Sequence, residues 1–243
     1  MGSSKMIRLN KFLAAAGIGS RRKCDDYIVE GKVSVNGEVV QKLGVRIDEL
    51  NDTIFFEGSE VKIQEKLLYI ILNKPKGIIT SAKDEYDRNT VVDLIPLKTR
   101  LFPVGRLDQD TTGLLILTND GELTNQLIHP KFKIPKTYHV LLNKNIHPKD
   151  IYHFKHGIIL DEKKTAPCKL SEIRIIDNCS FLEVILYEGR KRQIRRMFDE
   201  LGYKVVELDR IAFGPLTIAG IKRGEWRYLN NNEITTLKIN DEN

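Results

Sequence analysis

The chain of 243 residues carries little that would serve disulfide, metal or membrane chemistry. Its three cysteines, Cys24, Cys168 and Cys179, are odd in number and lack the spacing of a zinc site, so they read as reduced thiols of a cytoplasmic protein. No apolar run comes near the ~18 residues of a membrane span, and no membrane role is expected. There is no P-loop, no Gly-rich dinucleotide fingerprint and no His-Glu-x-x-His pair. Reactions driven by a metal or a cofactor therefore have no visible machinery, and neither group is expected. His153 and His156 stand three apart on an expected helix, but without acidic or cysteine partners they read as surface histidines. No internal repeat is found. The opening Met1-Gly2-Ser3-Ser4-Lys5 lacks the apolar core of a signal peptide and is set aside from fold reasoning.

What is present is a globular composition, 41% apolar and 30% charged, with length enough for one or two domains. A formal charge of +6 favours a polyanionic partner, because Lys and Arg that neutralise phosphates also release condensed counterions.

The first part of the chain has a clear order. Leu9, Phe12, Leu13 and Ala16 fall on one helical face that Gly17 ends, and Ser20 can cap a second helix carrying Cys24, Tyr27 and Ile28 and stopped by Gly31. Val33 to Val40 then alternates about Asn36-Gly37, a strong hairpin signal. Arg8, Lys11, Arg21, Arg22 and Lys23 lie at or near the helix starts, where they read as a solvated face or as one phosphate-gripping surface. Residues 48–66 mix acids, Gly58 and Ser59, and suggest a boundary.

Beyond it, Leu67 to Leu72 has a buried-strand pattern that halts at Asn73-Lys74-Pro75-Lys76-Gly77, with Lys74 and Lys76 expected to face outward toward phosphates. Thr90 to Ile95 suggests a short helix. Residues 105–121 run a polar loop, Gly105-Arg106-Leu107-Asp108-Gln109-Asp110-Thr111-Thr112-Gly113, into four aliphatic residues and the turn pair Asp120-Gly121, a loop feeding a buried strand. By itself an Asp ahead of such a turn is an Asx cap, and Tyr138, in the alternating strand from Lys136 to Leu142, is a half-buried strand tyrosine. Arg190-Lys191-Arg192-Gln193-Ile194-Arg195-Arg196 opens a helix whose stripe is Ile194, Met197, Phe198 and Leu201. So many adjacent cations repel one another unless an anion faces them.

These words taken together resemble a known family. Residues 105–121, with the Asn73 to Gly77, Lys136-Thr137-Tyr138 and Gln193-Ile194-Arg195 segments, are similar to the motifs of the RsuA/RluB/RluF ribosomal RNA pseudouridine synthases. The helix-helix-hairpin order resembles the S4 RNA-binding domain. The resemblance implies an α+β protein: an S4 domain over 7–53, a linker over 54–66, a catalytic domain over 67–238 with a mixed, mainly antiparallel sheet, and a polar tail over 239–243. It implies an enzyme that breaks the C1′–N1 bond of uridine, turns the base and joins C5 to C1′, consuming no cofactor. By resemblance Asp108 is the catalytic carboxylate, Arg195 the cation that pairs with it, Tyr138 the ring facing the target base, and Leu208 an apolar wall for the uracil. A buried carboxylate needs such a cation to stay ionised. Arg106 would fill the space left by the flipped nucleotide or hold a flanking phosphate, and Lys74, Lys76, Arg190, Lys191 and Arg192, with the five N-terminal cations, would contact RNA.

Arg192-Gln193-Ile194-Arg195 stands where the 16S-directed RsuA branch carries His-Gln-Val-Lys, and leans toward the 23S-directed RluB and RluF branches. The expected partner is thus ribosomal RNA, 23S ahead of 16S, free or in assembly particles, acted on by a cytoplasmic monomer. The rival readings are a 16S-directed enzyme, a non-catalytic S4 assembly factor in which Asp108 is dispensable, and a two-carboxylate hydrolase using Asp108 and Asp110.

Overall fold

The computed structural model describes residues 6–63 and 66–238, and of Glu172 the backbone alone. The expected polar tail, 239–243, the first five residues and positions 64 and 65 of the expected linker lie outside the described residues. The chain divides into two compact units, Met1–Leu67 with Lys98–Arg100, and Leu68–Leu97 with Leu101–Asn243.

The first unit runs β1 (Met6–Arg8), α1 (Leu9–Ala15), α2 (Arg21–Val29), β2 (Val33–Val35), β3 (Glu38–Val39), β4 (Arg46–Asp48), β5 (Ile54–Phe56) and β6 (Ser59–Glu60). Ser20 caps α2 by accepting the Lys23 N–H at 3.1 Å. Asn36 and Gly37, at φ 51° and 87°, supply the left-handed pair that turns β2 into β3. Leu9, Phe12, Leu13, Cys24, Ile28 and Val33 fill the core as their spacing predicts. The sequence did not foretell β1, which carries Arg8 and pairs with β4. Nor is the stretch from residue 54 a plain linker: β5 lies antiparallel to β2, the sheet order is β3-β2-β5-β6, and Ile54 and Val61 are buried in the same core. A three-residue strand whose partner lies far upstream leaves no local periodicity to read.

The second unit runs β7 (Tyr69–Lys74), β8 (Phe102–Pro103), β9 (Thr112–Thr118), α3 (Gly121–Ile128), β10 (Lys136–Leu142), α4 (Pro148–His156), β11 (Ile159–Leu160), β12 (Lys163–Lys164), β13 (Lys169–Ile176), β14 (Cys179–Leu186), α5 (Gln193–Glu200), β15 (Val205–Phe213), β16 (Leu216–Thr217), β17 (Trp226–Tyr228) and α6 (Asn231–Leu237). Its sheet follows the order β13-β14-β10-β15-β9-β7-β17, antiparallel throughout except where β15 runs parallel to β9. It is the mixed, mainly antiparallel sheet that was expected. The aliphatic runs of β7 and β9 are continuous because both faces are covered. Ile70, Leu72, Leu115 and Leu117 enter one core with Phe154 of α4 and Phe198 of α5, whereas Ile71, Leu114 and Ile116 enter another with Leu123 of α3 and Leu237 of α6.

Two local differences stand out. Thr90 to Ile95 forms successive turns closed by Asp93 N–H to Thr90 O and Ile95 N–H to Val92 O, and no helix. The stretch before Pro96 is too short to offset helix nucleation, and the Asp93 carboxylate takes the Thr90 N–H instead. Conversely α6 was not foreseen, although Asn230 and Glu233 form a capping box at its start. Among the described residues no helix is long and apolar enough to cross a membrane.

Candidate active site

The site is organised by the loop that feeds β9. Buried Val104 and Leu107 anchor its start, and Thr80 clamps Leu107 at both backbone groups, donating to its carbonyl at 2.7 Å and accepting its N–H at 3.3 Å. A turn closed by Thr111 N–H to Asp108 O follows. Beneath this turn lies Lys74, which is fully buried. Its ammonium donates to the carbonyls of Thr111 at 2.9 Å and of Pro75 and Asp108 at 3.2 Å each. Lys74 is therefore not the outward phosphate contact expected of it. As the last residue of a strand buried on both faces it points inward, and a cation there finds its partners in the carbonyls of the turn. Burial pulls its amine down to about 8, against the opposing pull of the Asp110 and Asp108 carboxylates. Lys76 does stay exposed, on a shallow groove with Gly77, Gln109 and Arg192.

At the loop's end Gly113 faces Arg210 across the parallel pair. It sits at φ +105°, and a Cβ there would fall 2.3 Å from the Arg210 carbonyl oxygen. Only glycine lets β9 and β15 approach so closely.

Asp108 opens into a cavity of about 560 Å³ that Arg106, Tyr138, Leu208, Arg190, Lys191 and Arg192 also line. Tyr138 and Leu208 stand on the neighbouring strands β10 and β15, where Tyr138 pairs with Arg210 and Val140 with Leu208. Both side chains are nearly buried, so the cavity has an aromatic and an aliphatic wall beside the carboxylate. Arg106 and Lys191 are exposed at it. The Arg190 guanidinium is taken up by the Lys163 and Lys164 carbonyls of β12 and by Glu188, which leaves it less free to hold phosphate than the sequence suggests.

Arg195 requires a correction of partner. Its place on the buried side of α5 was foreseen, and it is 8% exposed. Yet its ion pair is with Asp110, at 3.2 Å, and it also donates to the Asp110 carbonyl at 3.3 Å and the Val205 carbonyl at 2.9 Å. The Val205 bond fixes the guanidinium toward the end of the loop, where Asp110 meets it before Asp108 can. Among the described residues the cation at ion-pair distance from Asp108 is Arg192, at 4.0 Å, which also lies 3.3 Å from Asp110. Arg192 caps α5 from the left-handed region at φ 50°, a conformation an arginine adopts only under constraint. Burial pushes the Asp110 carboxyl up, but the Arg192 hydrogen bond and the charges of Arg195 and Arg192 outweigh it and hold the group below its usual range. Burial likewise lowers Arg195, with Asp110 opposing.

In the first unit Arg8, Arg21, Arg22 and Lys23 are exposed and Lys11 is half-buried. Lys23 leans over the Tyr27 ring at 4.9 Å. Among the described residues no group of His, Cys, Asp and Glu is placed to hold a metal. Sequence reasoning overlooked Thr80, Lys136 and Arg210, all built into the loop or the cavity. Lys136 opens the same Lys-Thr-Tyr segment as Tyr138, and that was the available signal.

A carboxylate and an aromatic ring in a basic cavity on a mixed sheet suit chemistry on a nucleotide held out of its strand. Residues 68–200 match the family model described as RNA pseudouridylate synthase, and residues 7–54 match the S4 domain. The chain belongs to the RNA pseudouridylate synthase family, in the group whose members carry an S4 domain, and it is an RNA pseudouridine synthase. Among its relatives, an uncharacterized RNA pseudouridine synthase of Aquifex aeolicus is 43% identical over 233 residues, 95% of this chain and 93% of that one. The ribosomal large subunit pseudouridine synthase B of Bacillus subtilis is 43% identical over 237 residues, 96% of each chain. The dual-specificity RNA pseudouridine synthase RluF of Escherichia coli is 35% identical over 95% of this chain and 78% of its own. A crystal structure of a pseudouridylate synthase superposes with a TM-score of 0.68 at 35% identity, covering 95% of this chain and 99% of that one.

Proposed function

We propose that the enzyme isomerises uridine in ribosomal RNA, within the 23S molecule, with Asp108 as the acting carboxylate. The observation that carries this reading is the meeting of Asp108, Tyr138 and Leu208 in one cavity. The target nucleotide is flipped from its stack into that cavity, at a cost of a few kcal/mol. Its uracil packs between the Tyr138 ring and Leu208. Asp108 then acts on the ribose, by attack at C1′ or by removing a ribose proton to give a glycal-type intermediate, and the C1′–N1 bond breaks. The uracil turns and C5 joins C1′ as the bond to Asp108 breaks or the ribose proton is returned, and the C5 proton is relayed through Asp108 or the Tyr138 hydroxyl, so that N1 ends protonated. The rearrangement leaves the atom count of the nucleotide unchanged and calls for no cofactor.

Arg106 fills the space the nucleotide leaves or holds a flanking phosphate. Arg192 and Arg195 keep positive charge beside the loop, while Lys76 and Lys191 meet the strand on either side. The S4 unit, residues 7–53, raises the local concentration of RNA at the catalytic domain, residues 67–238, through Arg8, Lys11, Arg21, Arg22 and Lys23. The enzyme works as a cytoplasmic monomer. Burial pushes the Cys24 thiol up to about 11 and Cys168 to about 12, values of inert thiols.

The 23S assignment draws on Arg192-Gln193-Ile194-Arg195 and on the large-subunit substrate in the Bacillus subtilis relative's name. Its test is purified protein incubated with 23S and 16S transcripts, followed by pseudouridine mapping. Product on the 23S transcript is expected. Product confined to the 16S transcript would overturn the assignment, and none on either would overturn the reading.

A further inference from the structure

The cavity holds two cations that the reaction above leaves unused, Lys136 on β10 and Arg210 on β15. Both stand against one ring: the Lys136 ammonium lies 5.5 Å and the Arg210 guanidinium 5.4 Å from the Phe213 centroid. Arg210 is 2% exposed. Its Nε donates to the Leu114 carbonyl at 2.7 Å, but its Nη2 is buried with no partner. The Lys136 ammonium donates to the Ile134 carbonyl at 2.9 Å, which leaves further N–H groups unspent.

Among the described residues no carboxylate lies at ion-pair distance from either cation. The acids that line the cavity are Asp108 and Glu188. Glu188 is already taken by Arg190, by the Gln193 amide at 2.7 Å and by the Ala166 N–H at 3.1 Å. Burial, together with the charge of Arg210, pulls the Lys136 amine down to about 8, so the two cations feel each other. A buried guanidinium beside a half-buried ammonium, with spare donors and no counter-charge, is costly unless a ligand supplies one. A uracil carbonyl can accept one N–H but brings no net charge. The part of an RNA substrate that does, and that must follow the nucleotide into the cavity, is its own backbone.

We propose that Lys136 and Arg210 form a subsite for a phosphodiester flanking the target ribose, so that the cavity grips the flipped nucleotide by its backbone as well as by its base. The inference rests on the functional reading above and extends it to a contact that Asp108 chemistry does not require. The two charges add to those of Arg106, Lys191 and Arg192 in drawing an anionic strand into the cavity.

The test is a cycle between protein and substrate. An rRNA fragment that the wild-type protein modifies is prepared with its ordinary backbone, and with a single uncharged methylphosphonate at the linkage 5′ or 3′ to the target. For the wild type, neutralising one of the two linkages is expected to lower kcat/KM about tenfold, the worth of a charge-assisted hydrogen bond. For Lys136→Met, kcat/KM on the ordinary fragment falls by a similar factor, and the same methylphosphonate then costs less than about twofold. Arg210→Gln, if it folds, should behave alike; Lys136→Met keeps the test independent of that. A cost that stays tenfold in Lys136→Met, or is absent from the wild type at both linkages, overturns the subsite while leaving the enzyme's function standing. If the wild type modifies no fragment, the functional reading fails and the subsite with it.

Discussion

Asp108 and Asp110 lie two residues apart in one loop, and their surroundings give them different work. Asp108 faces the cavity with its carboxylate loosely held by Arg192, while Asp110 spends its charge on Arg192 and Arg195. In the folded chain Asp110 titrates below the value of about 3.9 for a free aspartate, so its ion pairs stabilise the fold above that value and are lost as pH falls through the lower, folded one. Asp110→Asn should therefore unfold at lower urea than the wild type at pH 7, and the difference should close as pH falls below ~4. An equal gap at pH 7 and pH 3 would mean that Asp110 acts by packing alone. Gly113 makes a second residue-scale claim. Alanine there must strain both φ and the Arg210 carbonyl, and is expected to cost at least ~3 kcal/mol in chemical unfolding. A Gly113→Ala protein of wild-type stability would contradict the close approach of β9 and β15.

At the scale of elements, the loop over 105–111 is held from three sides: by Thr80, by the end of β7 through Lys74, and by the start of α5 through Arg192 and Arg195. Lys74→Met removes the hydrogen bonds to the carbonyls of Pro75, Asp108, Gln109 and Thr111 together with the burden of a buried charge, two effects of opposite sign for stability. The expected outcome is a thermal midpoint within a few degrees of wild type and a kcat at least ~10-fold lower, because the loop loses its fixed turn. An unchanged kcat would show that Lys74 does not order the loop. This element also shows how far local pattern reaches. The strand of β9, the helix of α5 and the hairpin at Asn36-Gly37 follow from periodicity and turn chemistry. Asp108, Tyr138 and Leu208, which the motif resemblance groups, line one cavity, but the cation it assigns to Asp108, Arg195, pairs with Asp110 instead. The inward turn of Lys74 and the choice of Asp110 over Asp108 by Arg195 do not follow, because both depend on which carbonyls from distant strands come within reach. Strand β5 escaped for a related reason, since its evidence lies in its pairing with β2.

For the whole molecule, the proposed function divides the labour between the two units, one contributing affinity for an anionic partner and the other chemistry. Replacing Arg21, Arg22 and Lys23 by glutamine leaves the Ser20 cap of α2 in place and should weaken rRNA binding. The slope of log affinity against log salt should become shallower by ~0.7 for each phosphate that the protein no longer neutralises. Product formation at saturating RNA should persist. Unchanged affinity would remove the S4 unit from substrate binding.

In the proposed mechanism the carboxylate at 108 performs the isomerisation. Asp108→Asn keeps the size of the side chain and removes its charge. The direct measurement is pseudouridine formed on the 23S transcript by wild type and variant at equal bound RNA. Full modification by the wild type and none by Asp108→Asn are expected, and product from the variant at a rate near wild type would show that the 108 carboxylate does not act in the reaction.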